Sequence, residues 1–346
     1  IYKVFSRVIN ERIKKTLDKE QSPDQAGFRA TYGCDDQLFV LTMLYERCAE
    51  WSSPLWIGAI DFRKAFDSVD HGALFSALRE LGVERRYVGA LERLYKGQTG
   101  HVAADRRSKS FVIGKGTKQG DPLSPALFNA VLEVLVRKLK EKWARNKWGL
   151  KMGDYAHADV LQNLRFADDI LLVARSLAQV RGMLGDLSRE AALVGLNLHF
   201  GKTKILANTG VRRGIKRENN TVDIAGQEVE VVPLDGSTAY LGREVTLGGD
   251  FHDRELENCI AKAWGKFMSL KKELCGRHYS LDDRMRLFDA VVTPTILYGS
   301  ASWTMTQSRE ERLRTTQKKM LRKIWGAQRR MKEEGTAMPG PEEEAA

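Results

Sequence analysis

The tetrad Phe166-Ala167-Asp168-Asp169 sits between two short apolar runs, Asn163-Leu164-Arg165 before it and Ile170-Leu171-Leu172-Val173-Ala174 after it. Runs of this length on either side of a polar tip read as strand, turn and returning strand. Such a hairpin holds two adjacent carboxylates at one end of a sheet. Like charges that close repel, so the tip is unfavourable unless a cation sits there. A third carboxylate, Asp61, ends another apolar run, Leu55-Trp56-Ile57-Gly58-Ala59-Ile60. Leu55, Ile57, Ala59 and Asp61 share one strand face because side chains alternate. Asp61 is then the polar end of an apolar row, where an isolated carboxylate is unfavourable without a partner. Its residues alone leave two readings, a metal ligand or a helix cap or surface salt bridge. Two strand ends that bring Asp61 beside Asp168 and Asp169 make an oxygen-rich site suited to paired Mg²⁺ ions, the chemistry of nucleotidyl transfer.

Length and composition bound the rest. With 346 residues and 42% hydrophobic content, the chain can bury a sizeable core and is long enough for two or three subdomains. Lys and Arg number 56 against 45 Asp and Glu, a net +11 that favours a polyanionic partner. No apolar run approaches the roughly 18 residues of a membrane span, so no membrane role is expected and the protein is read as intracellular. The chain opens with Ile1 rather than Met and has no signal-like start, so it reads as a fragment of something longer. Cys34, Cys48, Cys259 and Cys275 form no close pair of the zinc-binding kind and are expected to be reduced thiols.

Periodicity organises the chain. Tyr2, Phe5, Ile9, Ile13 and Leu17 recur at helical spacing up to Pro23, and a second helix from about Asp36 carries Leu38, Leu41, Tyr45 and Cys48. Asp70 caps a helix with Leu74, Leu78 and Leu81 that Gly82 stops, and Val88, Leu91 and Leu94 mark a short one. A hairpin from His101 to Ile113 turns near Asp105-Arg106. Ser124-Pro125 reads as cap and first helical position, with Leu127, Val131, Leu135 and Leu139 on the buried face. Leu177 to Val194 is helical, Val222 to Val232 is a hairpin around Ala225-Gly226-Gln227, and Phe251 onward is helical and basic. Gly335 to Ala346 reads as a disordered tail. The mixture predicts an α+β core with helices on one face and a separate helical lobe.

A second chemical block is Gly116-Thr117-Lys118-Gln119-Gly120-Asp121-Pro122-Leu123-Ser124-Pro125. Its glycines allow close backbone approach to a ligand, and Gln119 can donate and accept; an ordinary loop-to-helix joint has the same composition. Asp61-Phe62-Arg63-Lys64-Ala65-Phe66-Asp67, Lys118 to Pro125, and Phe166 to Asp169 are, in that order, similar to the three palm motifs of reverse transcriptases. The likeness is to the non-LTR retrotransposon (LINE-type) branch. Gln25-Ala26-Gly27-Phe28-Arg29 resembles a fingers motif, Leu196-Asn197-Leu198 with Lys202-Thr203-Lys204 the fourth palm motif, and Tyr240-Leu241-Gly242 the primer grip. Ile296-Leu297-Tyr298-Gly299 and Met320 to Gly326 resemble thumb segments.

The resemblance implies a right-hand polymerase with fingers, antiparallel-sheet palm and helical thumb. Its parts would be N-terminal fingers (1–54), the first catalytic palm strand (55–72), an insertion of fingers and palm (73–115), palm (116–250), thumb (251–328) and a disordered tail (329–346). It implies that Asp61, Asp168 and Asp169, with the Phe62 carbonyl, hold two Mg²⁺ ions, for which Mn²⁺ is a possible substitute. The amides of Lys64 and Ala65 would touch the triphosphate, and Gln119 and Gly120 would line the nucleotide pocket. Phe66 would be the steric gate against a ribose 2′-hydroxyl, though a core phenylalanine reads the same way. Lys202 would neutralise pyrophosphate or be a solvated lysine, and Arg29 would contact template or nucleotide. Asp67, Asp70 and Asp121 read as caps and turn acids.

For the nucleic acid, Tyr240 and Gly242 would contact the primer. Arg312 to Arg330 holds Arg312, Arg314, Lys318, Lys319, Arg322, Lys323, Arg329 and Arg330 with no acid, after a capping box at Ser308 and Glu311. Leu313, Met320, Leu321 and Ile324 are expected to face inward. By itself such a run is a solvated face; beside a polymerase palm it reads as a duplex-tracking helix, with Lys262, Lys266, Lys271 and Lys272 adding charge and binding falling with salt. The implied activity is RNA-directed DNA polymerisation on a retroelement RNA template from a DNA 3′-hydroxyl with dNTPs, in nucleus and cytoplasm for a eukaryotic element. The alternatives are a group II intron-type maturase and a catalytically inactive, domesticated RNA-binding protein.

Overall fold

Trp56–Ile60 (β1) is apolar on both sides of the pleat, the pattern of a strand covered on both faces. In the computed structural model, which describes residues 2–103, 108–153, 160–210, 214–216, 218–249 and 251–326, β1 lies third in a six-stranded sheet. Its partners are Asn163–Phe166 (β2), Asp169–Ala174 (β3), Lys204–Ala207 (β4), Thr221–Ile224 (β5) and Gln227–Val231 (β6), in the order β2-β3-β1-β4-β6-β5. All neighbours are antiparallel except β4 and β6. The β5–β6 turn falls at Ala225-Gly226, both with positive φ, as the Ala225-Gly226-Gln227 signal requires.

One face of the sheet, through Trp56, Ile60, Ile170, Leu172 and Ile205, packs on Tyr2–Glu20 (α1), His71–Glu80 (α2), Ser124–Arg145 (α3) and Leu177–Leu193 (α4). The other face, through Ile57, Leu171, Val173 and Leu206, packs on a helix over Cys34–Glu50 and a ribbon of Thr238–Tyr240 and Arg243–Val245. Helices therefore cover both faces, not the one expected. The alternation Trp56/Ile57 already requires two apolar layers, since successive side chains point opposite ways.

The caps follow the sequence signals at α2, where the Asp70 carboxylate accepts from the Ala73 amide at 2.9 Å and Gly82 leaves the helix at φ +76°. They depart from them at α3. Its helix begins at Ser124, whose hydroxyl donates to the Lys118 carbonyl at 2.6 Å, and it is Asp121 that accepts from the Leu123 amide at 3.1 Å. The short ladder Thr99–Gly100 with Phe111–Val112 supports the expected hairpin, while its turn at Asp105-Arg106 lies outside the described residues. The four cysteines are free.

The chain divides into two compact units, one of residues 1–255 with 299–303 and one of 256–298 with 304–346. In the first, the Arg243 guanidinium forms a buried ion pair with Glu255 and bonds to Ser302, tying in the short 299–303 segment. In the second, Phe251–Ser269 (α5, from residue 256) and Gln307–Trp325 (α6) contribute Ala263, Phe267, Met320 and Ile324 to a small core with Phe288 and Val292. The α6 cap is Thr306, which accepts from the Arg309 amide at 3.3 Å, rather than Ser308 of the expected capping box. Thr316, Met320 and Ile324 are its buried residues, and Leu313 and Leu321 are only half-buried. The expected tail at 329–346, with Arg329 and Arg330, lies outside the described residues.

A buried ion pair anchors β2 to α3. Arg165, 0% exposed, donates to Glu133 at 2.8 Å, and Glu133 is 3% exposed. Nε and Nη1 of Arg165 have no partner among the described residues, so the pair is only partly satisfied. Removing one member of a buried pair strands the other. Glu133→Ala should therefore destabilise the domain by about 3–5 kcal/mol in urea unfolding, and Arg165→Met combined with Glu133→Leu should recover most of that loss.

Candidate active site

Antiparallel pairing brings the three acids to one end of the sheet. β1 and β3 pair up to Ile60 opposite Ile170, so Asp61, one residue further, continues the register to Asp169. β2 and β3 close at the Phe166–Asp169 pair, leaving Ala167 and Asp168 as the turn. Asp61 is held by its own main chain: its amide donates to Thr203 Oγ1 at 3.4 Å, and its carbonyl accepts from the His199 amide at 2.7 Å.

The carboxyls feel one another. Burial first, then the charges of Asp168 and Asp61, push the Asp169 carboxyl up to about 6. Burial also raises Asp168; a main-chain hydrogen bond opposes this and the Asp61 charge adds to it. Asp169 is exposed by surface area while desolvation is its largest perturbation, which describes a carboxylate open at its tip and crowded at its base. Lys202 Nζ stands 4.0 Å from Asp61 Oδ2, with both side chains exposed, so screening leaves the pair weak. Acidic oxygens whose charge is disfavoured by burial and by each other are the donor set a hard divalent cation takes. Among the described residues no three His, Cys, Asp or Glu side chains are gathered tightly enough to hold an ion alone. The set fits ions that also take oxygens from a bound phosphate.

The second block is stapled to the first. Gly116 donates to the Val69 carbonyl at 2.7 Å, and the Thr117 amide donates to the Phe66 carbonyl at 2.7 Å. A Cβ on Gly116, at φ +85°, would stand 2.5 Å from the Asp67 carbonyl oxygen. Gln119 Nε2 reaches both oxygens of Asp67 at 3.3 Å, and Gly120 is exposed. The half-buried Phe66 ring stacks on Phe128 at 4.4 Å and meets Phe28 edge-on at 6.4 Å. Lys64 is exposed with φ +47°, and Ala65 is buried at the start of a single helical turn. Phe62 is buried and bridges to Leu198. Asp121, buried, accepts from the Leu123 amide at 3.1 Å, the turn role expected of it, and also from the distant Ser6 hydroxyl at 3.1 Å.

Other expected site residues are placed differently. Arg29, whose side chain is 10% exposed, directs its fork to Asp18 at 2.7 Å and to the carbonyls of Ser22 and Gln25 at 2.9 and 3.0 Å. That makes it a pin for the end of α1, where a template or nucleotide contact was expected. Tyr240 is buried, and burial, then the Asp169 charge, raises its phenol. Gly242 takes φ +75° in the ribbon turn. In the second unit, Lys262, Lys266, Lys318, Lys319, Arg322 and Lys323 are exposed, while Arg312 pairs with Glu257 at 2.9 Å.

Sequence reasoning missed the support of the acidic turn. Ala167 sits in the left-handed region at φ +57°, and its amide donates to Gln25 Oε1 at 3.0 Å. Gln25 is fully buried and also accepts from the Gly27 amide at 2.8 Å; its Nε2 donates to Asn129, which in turn holds the Gly27 carbonyl at 2.8 Å. The signal was present as Asn129 and Glu133, two polar residues four apart in the otherwise apolar stretch 126–136 of that helix.

The family profile described as reverse transcriptase (RNA-dependent DNA polymerase) matches residues 1–242. The chain belongs to the reverse transcriptase family. The retrovirus-related Pol polyprotein from type-2 retrotransposable element R2DM of Drosophila melanogaster is 32% identical over 251 residues, covering 71% of this chain and 22% of that protein. A Pol polyprotein from type-1 retrotransposable element R2 of Popillia japonica is 31% identical over 232 residues, 63% of this chain and 37% of that protein. The chain thus spans about a fifth to two fifths of these relatives, which support the non-LTR retrotransposon branch. Among solved structures, telomerase from Candida albicans in complex with a fragment of telomeric RNA aligns with TM-score 0.53 over 94% of this chain and 57% of that one, at 12% identity. That likeness speaks to the fold, which is of the α+β right-hand polymerase type.

In this reverse transcriptase domain Asp168 and Asp169 oppose folding when no cation is bound. The folded value of Asp169 lies above its unfolded one, so its contribution to stability is present below the unfolded value and is lost as pH rises through about 6. Asp169→Asn should raise Tm by a few degrees at pH 7.5 in chelator, and the gain should shrink towards pH 4 in calorimetry across pH.

Proposed function

We propose that this domain extends a DNA 3′-hydroxyl on an RNA template with dNTPs, by two-metal nucleotidyl transfer, as the polymerase part of a retroelement protein, acting in nucleus and cytoplasm where the element is eukaryotic. The observation that carries this reading is the convergence of Asp61, Asp168 and Asp169 at one sheet end, with the first motif block hydrogen-bonded to the second. Among the described residues no helix is long and apolar enough to cross a membrane.

Asp61, Asp168 and Asp169, with the Phe62 carbonyl, would hold two Mg²⁺ ions, which Mn²⁺ could replace. Bound there, such ions supply Lewis acidity for hydroxyl attack on the α-phosphate and neutralise the departing pyrophosphate. The protein's own contribution is placement. The Lys64 and Ala65 amides receive the triphosphate after the turn that Thr117 and Gly116 hold in place. Gln119, oriented by Asp67, and Gly120 form the open wall. Lys202, 4.0 Å from Asp61, would offset charge on pyrophosphate. Phe66, backed by Phe128, presents a rigid ring to the sugar. Gly242, exposed in the ribbon turn, would face the primer, with Tyr240 packed in the core behind it. In the second unit the exposed Lys318, Lys319, Arg322 and Lys323 of α6, with Lys262 and Lys266 of α5, would take duplex phosphates. Arg312, already paired with Glu257, would contribute less. The three acids disfavour a binding-only reading, because an RNA-binding surface gains nothing from clustered negative charge. The maturase reading shares the palm but has no separate support among these residues.

Primer extension on an RNA template with Mg²⁺ tests the activity. Wild type should add dNTPs, and Asp168→Asn should lose on the order of a thousandfold in rate, the scale of removing metal-borne charge stabilisation. Equal product from both proteins would refute the metal assignment. In the same assay Phe66→Ala should admit ribonucleotides, raising rNTP over dNTP kcat/KM by roughly tenfold or more, the scale of removing one steric contact.

A further inference from the structure

Phe28 is a large apolar side chain held out of the core under strain. It is 59% exposed, and its φ of +62° is left-handed, a region bulky residues rarely adopt. Residues in such conformations persist where the surroundings over-determine them, and they cluster at functional sites.

The surroundings do over-determine this one. Immediately before it, the Gly27 amide is held by Gln25 and the Gly27 carbonyl by Asn129, both at 2.8 Å. Gly27 itself lies against the acidic turn: a Cβ there would stand 2.4 Å from the Ala167 nitrogen. Immediately after it, Arg29 is locked by Asp18, Ser22 and Gln25 and lies over the Tyr32 ring at 4.2 Å. The backbone on both sides is thus fixed, and the ring is aimed outward beside the catalytic turn. Among the described residues its ring neighbour is Phe66, nearly perpendicular with centroids 6.4 Å apart, the residue assigned above to the sugar of the incoming nucleotide.

An exposed aromatic face held rigidly is a stacking surface for nucleobases, tolerant of sequence because every base offers a π-face. We propose that the Phe28 ring packs on a nucleobase of the base pair forming at the acidic turn, either the templating base or the base of the incoming nucleotide. This rests on the polymerase reading of the site. Phe28 then acts with Phe66 as two sides of one aromatic corner, one for base and one for sugar.

The test uses a dideoxy-terminated DNA primer on RNA, with 2-aminopurine as the templating base in one arm and as the incoming nucleoside triphosphate in the other. Wild type should quench the fluorophore in one arm, which names the base. Phe28→Gly should lose that quench and weaken binding in that arm roughly 5- to 150-fold, the range for one base stack. Phe28→Trp should keep both. The Tm of Phe28→Gly should equal or exceed wild type, because glycine relieves the left-handed conformation, so a folding defect cannot imitate the result. A Phe28→Gly protein that matches wild type in both arms, or a wild type that quenches in neither, overturns the proposal. Primer extension by wild type is scored separately. Extension with an unchanged Phe28→Gly signal removes the stacking role alone, and a lost quench without extension removes the polymerase reading alone.

Discussion

Mutual repulsion among Asp61, Asp168 and Asp169 is the constraint around which the domain is built. Folding must hold three carboxylates at one sheet end with little compensation, since the pair of Lys202 with Asp61 is solvent-exposed and weak. The force that holds them comes from elsewhere. β1 and β3 are paired along their length and buried on both faces, so the apolar layers fix where the strands end. The turn residue Ala167 is kept in its left-handed conformation by a side chain from a distant segment. Destabilisation at the site is thus offset by packing and hydrogen bonding around it, a common division of labour in catalytic centres.

Those supports form a connected polar network under an apolar sheet. Asp24 and Ala26 exchange main-chain bonds with Arg165, which makes residues 24–26 a short parallel extension alongside β2. Gln25 and Asn129 join that extension to α3, and Glu133 joins α3 to β2. A buried network of this kind rigidifies only when its members are satisfied together. The N-terminal segment is therefore part of the acidic turn's foundation, though it is more than a hundred residues away in sequence.

Much of this was legible in the residues. Alternation and turn chemistry gave the hairpin that carries Asp168 and Asp169, because a two-residue polar tip between apolar runs has few other solutions. Asp70 and Gly82 bounded α2 as cap and stop, since both signals act locally. What was not legible depended on partners remote in sequence. Arg29 has the charge of a phosphate ligand, and only the fold shows its fork closed on Asp18 and two carbonyls. Helices were expected on one face because α+β sheets often leave the other open, yet the doubly apolar β1 already argued otherwise. Ser308 and Glu311 satisfied a capping pattern, but Thr306, with its extended backbone, reached the free amide first. Such contests between nearby candidates are decided by backbone direction, which composition does not encode.

The bond from the Thr117 amide to the Phe66 carbonyl has a consequence for how such a domain can diversify. Both atoms belong to the main chain, so every amino acid except proline supplies the donor and every amino acid supplies the acceptor. The bond therefore survives any replacement of Thr117 other than proline, and the ring at 66 stays seated. Gly116 is fixed by a different constraint, since any larger residue there collides with the backbone at 67, and Gly120 by its left-handed φ of +74°. Variation would accumulate at the position between Thr117 and Gln119 and halt at the glycines on either side.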